Sequence, residues 1–99
     1  MVMKQVYDVV VKSPLGPKKG VFTIEERGDM AEAVLECLGA RHYLKGKLLE
    51  GGKLSLEGRL STPIGEEPMR IECQVSEETL EGRLLRRKED FAIKGTKMQ

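Results

Sequence analysis

Leu56-Glu57-Gly58-Arg59-Leu60 and Leu80-Glu81-Gly82-Arg83-Leu84 are the same five residues, 24 positions apart. A weaker copy, Ala31-Glu32-Ala33-Val34-Leu35, stands 25 positions before the first. Independently, Ser13-Pro14-Leu15-Gly16 is echoed by Thr62-Pro63-Ile64-Gly65 at a shift of 49, which is the sum of the other two shifts. Two unrelated motifs therefore agree on one period. A period of this size marks a supersecondary unit that is copied along the chain. The chain reads as four units, with repeat loops at residues 13–16, 37–40, 62–65 and 86–89; the last has lost both Pro and Gly.

Each unit reads as two strands, because apolar and polar residues alternate at period 2, as in Gln5 to Val11 and Leu54 to Leu60. Stacking the units gives the inward layers of the first strands as Tyr7, Ala31, Leu56, Leu80, then Val9, Ala33, Gly58, Gly82, then Val11, Leu35, Leu60, Leu84. Those of the second strands are Gly20, Leu44, Met69, Ile93, then Phe22, Gly46, Ile71, Gly95, then Ile24, Leu48, Cys73, Lys97. Only Lys97 among them is charged. The opposite face carries Asp8, Glu32, Glu57 and Glu81 beside Lys45, Arg70 and Lys94, which predicts cross-strand ion pairs. A slip of one residue would exchange the two faces, so the pattern sets the strand phase.

Short polar turns at Glu26-Arg27-Gly28-Asp29, Glu50-Gly51-Gly52-Lys53 and Ser76-Glu77-Glu78-Thr79 alternate with the Pro-containing loops, which are expected to be longer. This places the repeat loops at one end and the tight turns at the other. The predicted fold is all-β: an eight-stranded antiparallel up-and-down barrel built from four hairpins as a single domain over residues 1–99. The alternative is a curved open sheet that closes by dimerisation or strand exchange.

Composition narrows the function. Ninety-nine residues bury only about 60 to 65% of their unfolded surface, which allows one core. A net charge of +1, with two Tyr, two Phe and no Trp, argues against nucleic acid as a partner. The densest basic stretch, Arg83 to Lys88, is flanked by Glu81, Glu89 and Asp90 and reads as a solvated strand end. No apolar run approaches the length of a membrane span and none resembles a signal peptide, so the expected location is cytoplasmic. Cys37 and Cys73 lack metal-type spacing and read as small buried hydrophobes; neither a metal nor a cofactor is indicated.

The string Tyr7-Asp8-Val9-Val10-Val11-Lys12-Ser13-Pro14-Leu15-Gly16-Pro17-Lys18-Lys19-Gly20, followed by the Thr62-Pro63-Ile64-Gly65 loop, resembles a small bacterial family of lipocalin- or calycin-like barrel domains. These domains repeat a Lys-Thr-Pro-Met-Gly type loop and occur alone or appended to flavin-dependent oxidoreductases of anaerobic bacteria. The resemblance covers essentially the whole chain and carries no catalytic signature. It implies the barrel and an association with a flavoprotein oxidoreductase. Cys37-Leu38-Gly39-Ala40 and Arg86-Arg87-Lys88-Glu89 depart from the loop pattern.

Two functional expectations follow, neither enzymatic. In the first, a small apolar ligand occupies the barrel interior at Val9, Phe22, Ala33, Leu44, Gly46, Gly58, Ile71, Gly82 and Gly95, where glycines leave the waist poor in side-chain volume. The competing explanation is that the strands coil inward over those glycines. In the second, Leu15, Leu38 and Ile64 cluster at the repeat-loop rim and dock a partner, while outward Val10, Val21, Val34 and Leu85 offer a patch for a homodimer. An enzyme would have to use Cys37 and His42, expected on one face across a tight hairpin. No third group completes that pair, and it reads as a buried thiol beside a rim histidine.

Overall fold

Alternation at period 2 produces strands throughout. The computed structural model describes residues 2–37, 39–62 and 64–98. It contains β1 (Val2–Ser13), β2 (Gly16–Arg27), β3 (Met30–Cys37), β4 (Ala40–Leu49), a single 3₁₀ turn at Glu50–Gly52, β5 (Lys53–Thr62), β6 (Gly65–Val75), β7 (Thr79–Leu85) and β8 (Asp90–Lys97). Every strand pairs antiparallel with the next, and β1 pairs with β8, so the sheet is a closed barrel within one chain. The seam runs from Tyr7 opposite Lys97 to Lys12 opposite Ala92. It is continued by the Met98 amide donating to the Val6 carbonyl at 2.8 Å. Closure removes the open edges of the alternative curved sheet. Among the described residues no helix is long and apolar enough to cross a membrane.

The side chains obey the phase that the alternation dictates. Tyr7, Val9, Val11, Phe22, Ile24, Ala31, Ala33, Leu35, Leu44, Leu56, Met69, Ile71, Cys73, Leu80, Leu84 and Ile93 are buried. Leu54, Phe91 and His42 join them, each two residues out from an expected inward position and therefore in the same phase. Outside, Arg70 donates from Nη2 to Glu57 Oε1 at 2.8 Å, and Lys94 lies 3.9 Å from Glu81. Both pairs are direct ladder neighbours. Exposed pairs of this kind contribute roughly 0 to 1 kcal/mol each, so they settle solubility and register more than stability. Val10, Val21, Val34 and Leu85 are only half-buried, but charged neighbours such as Asp8, Glu36, Lys94 and Asp90 separate them.

One expectation about the connections is overturned. The Pro-containing loops are no longer than the other turns: Ser13 pairs with Gly16 and Thr62 with Gly65, leaving two residues between the strands. Pro14 presets the backbone of the first turn, and glycine at φ 112° (Gly16) and 127° (Gly65) supplies the return that an L side chain resists. Ser13 Oγ donates to the Gly16 carbonyl at 2.7 Å and ties the first of these turns.

The waist is closed by backbone. A Cβ on Gly46 would overlap the Ser55 carbonyl oxygen, and one on Gly82 would overlap the Glu72 carbonyl oxygen. Gly58 has the Tyr43 carbonyl in the same place, and Gly95 faces Val9 Cγ1 and the Asp8 oxygen at 2.7 and 2.8 Å. The volume that glycine omits is thus taken by the neighbouring strand, which bends across it. Gly46→Ala should lower stability by about 1–3 kcal/mol or more through overpacking against a backbone that cannot step aside. The exposed neighbour substitution Lys45→Ala should stay within about 0.5 kcal/mol. Urea midpoints of the two variants compare them directly.

Candidate functional site

The two hairpins that carry Pro-Gly turns project beyond the others. The β2–β3 ladder reaches only Gly20, so Gly16 to Lys19 of β2 stand above it. The β4–β5 ladder stops at Leu44 opposite Gly58, and the β6–β7 ladder at Arg70 opposite Leu85, which leaves Arg59 to Thr62 and Gly65 to Met69 similarly free of those neighbours. Pro17 and Pro68 sit in these overhangs, where a missing N–H costs no ladder bond and discourages edge pairing.

Between the overhangs lies a cavity of about 430 Å³ at the repeat-loop end of the barrel. Its apolar wall comes from Val11, Leu15, Leu35, Leu60, Leu84 and Phe91. Ser13, Lys18, Cys37, His42, Arg86 and Glu89 add polar groups. Strand phase explains the set: Val11 and Ser13 on β1, Lys18 on β2, Leu35 and Cys37 on β3, His42 on β4 and Leu60 on β5 are all inward positions carried up into the rim. The volume is of the order that holds a small molecule.

The expected residues fall on two levels. Val9, Phe22, Ala33, Leu44, Gly46, Gly58, Ile71, Gly82 and Gly95 lie at the waist, and none of them lines this cavity. Phe22, Leu44 and Ile71 are fully buried there. Of the rim residues, Leu15 lines the cavity while 88% exposed, and Ile64, 99% exposed, is not part of its lining. Leu38 lies outside the described residues. Lys18, Phe91 and the Arg86–Glu67 pair join the mouth without a motif that marks them. Period 2 places Lys18 two residues before Gly20 and Phe91 two before Ile93, but nothing local shows that the hairpins rise far enough to enclose space.

Cys37 and His42 do share the inward face and both line the cavity. Burial pushes the Cys37 thiol up and the His42 imidazole down, so both rest neutral. An activated thiolate–imidazolium pair needs the opposite shifts. Burial pushes Cys73 up to about 12. Both cysteines are free. Among the described residues no cluster of His, Cys, Asp and Glu is placed to hold a metal ion. In the basic stretch, Arg83 Nη2 donates to Asp90 Oδ1 at 2.7 Å and Arg86 Nε to Glu67 Oε1 at 2.6 Å, which engages two of its charges within the fold.

Comparison of the chain with models of known protein families, with curated proteins and with solved structures gave no match.

His42 gives the site a pH signature. Its folded pKa lies below the unfolded value of 6.5, so the stability contributed by the neutral ring is fully present above that value and is lost as pH falls through the folded pKa. The wild-type chain should therefore lose more stability below pH 6.5 than the His42→Leu variant. Denaturant midpoints measured across this range test it; parallel curves would contradict the burial of a neutral imidazole.

Proposed function

We propose that this chain is a non-enzymatic binding module that holds a small apolar molecule in the mouth of its barrel. The observation that carries this reading is the cavity of about 430 Å³, walled by Val11, Leu35, Leu60, Leu84 and Phe91 and open between two projecting hairpins. Apolar surface removed from water in such a pocket supplies affinity without directional chemistry. The neutral resting state of Cys37 and His42 supports binding over catalysis. The resemblance of the Pro-Gly loops extends the proposal to a bacterial, cytoplasmic protein that serves a flavin-dependent reductase.

A second reading rests on the hairpin tips. Leu15 and Ile64 are large apolar residues left 88% and 99% exposed at the ends of the β1–β2 and β5–β6 hairpins. Apolar residues so placed can dock a partner protein or a second copy of the chain.

Titration with a fluorescent apolar probe should show saturable binding at one site per chain. Leu60→Trp, which fills the mouth, should weaken it by about tenfold or more. A linear, unsaturable response would overturn the ligand reading. A parallel titration with flavin mononucleotide shows whether the flavin itself is the occupant. For the second reading, sedimentation velocity at high concentration should show self-association that the double variant Leu15→Asp/Ile64→Asp abolishes; a strict monomer excludes the second copy.

A further inference from the structure

The polar groups around the mouth are not equally free. Arg86 is held by Glu67, and Ser13 Oγ is spent on the Gly16 carbonyl. Glu89 also lines the mouth without an ion pair among the described residues, but its side chain is exposed in the β7–β8 connection, where water screens it. Lys18 is different: it is half-buried on an inward position of β2, opposite the apolar Val11, and forms no ion pair among the described residues. An ammonium in that place adds positive potential over an apolar wall.

His42 supplies a second, independent sign. Its side chain lines the cavity, the residue is only 5% exposed, and its imidazole makes no hydrogen bond among the described residues. No side-chain nitrogen or oxygen among those residues is sealed away without a partner. The unmatched edge of the ring therefore opens into the cavity. A neutral imidazole offers one donor and one acceptor, and a buried polar group of that kind is normally paired. A head group that accepts hydrogen bonds and carries negative charge satisfies both residues at once. A cationic head would meet Lys18 at the opening, and a hydrocarbon would leave the ring unpaired.

Resting on the ligand-binding reading above, we propose that the mouth cavity takes an anionic amphiphile, an apolar body ending in a carboxylate, with Lys18 neutralising the head group and His42 donating a hydrogen bond to it. Lys18 and His42 come from adjacent hairpins, β1–β2 and β3–β4, so the head group is read by two units of the barrel. Charge-assisted hydrogen bonds of this type are the stronger ones available to such a site.

Calorimetry on the full chain near neutral pH with octanoate, octanol and octyltrimethylammonium separates the terms, because the three share one apolar body. Octanoate should bind about tenfold or more tightly than octanol, with the ammonium weakest. Lys18→Gln, at a half-buried rim position, should bring octanoate towards octanol. Because His42 is the single histidine, its imidazole nitrogen resonances report the contact without ambiguity and should move on saturation with octanoate. Equal binding of octanoate and octanol, or a preference that survives Lys18→Gln, overturns the anionic head group and leaves the apolar cavity standing. Binding of octanoate with an unmoved imidazole overturns the role of His42. Binding by none of the three overturns the cavity reading as well.

Discussion

The close approach of one strand's backbone to the next strand's inward glycine is the contact on which the rest of the barrel depends. Eight strands of 7 to 12 residues enclose a narrow interior, and adjacent strands must coil to bring β8 back to β1. At Gly46 and Gly82 the neighbouring carbonyl occupies the place where a Cβ would stand. Any side chain there would hold the strands apart and open the seam. Because the strand itself fills the waist, large residues such as Tyr7, Phe22 and Ile71 complete the core with little room to spare.

A filled waist has a consequence for where a molecule can bind. The apolar cavity among the described residues lies at the repeat-loop end, where neighbouring ladders stop short. There the β1–β2 and β5–β6 hairpins continue past their neighbours and carry the inward phase upward. Residues that would be core in a longer barrel become the wall of a cup. The same overhang exposes Leu15 and Ile64 at its tips, which is why a ligand reading and a docking reading arise from one piece of architecture.

Electrostatics divides between the outer lattice and this cup. On the outer face Glu57 meets Arg70 and Glu81 meets Lys94 across adjacent strands, in ladders that keep the net charge close to zero. At the mouth Arg86 is neutralised by Glu67, whereas Lys18 and Glu89 line the cavity without an ion pair among the described residues, Lys18 half-buried opposite Val11 and Glu89 exposed. Polar groups left without a protein partner beside an apolar wall are the places where recognition chemistry concentrates.

Strand number, phase and order were legible in the residues alone. The identity of Leu56–Leu60 with Leu80–Leu84 sets the period, and alternation assigns the inward residues, because side chains in a strand repeat every second position whatever surrounds them. Two features escaped that logic. Omitted side-chain volume at Gly46, Gly58, Gly82 and Gly95 reads equally as a void or as a bend, and only the path of the neighbouring strand distinguishes them. The cavity depends on how far each ladder extends, a property of paired strands distant in sequence, so Lys18 and His42 come to one site through hairpin lengths that no local pattern encodes.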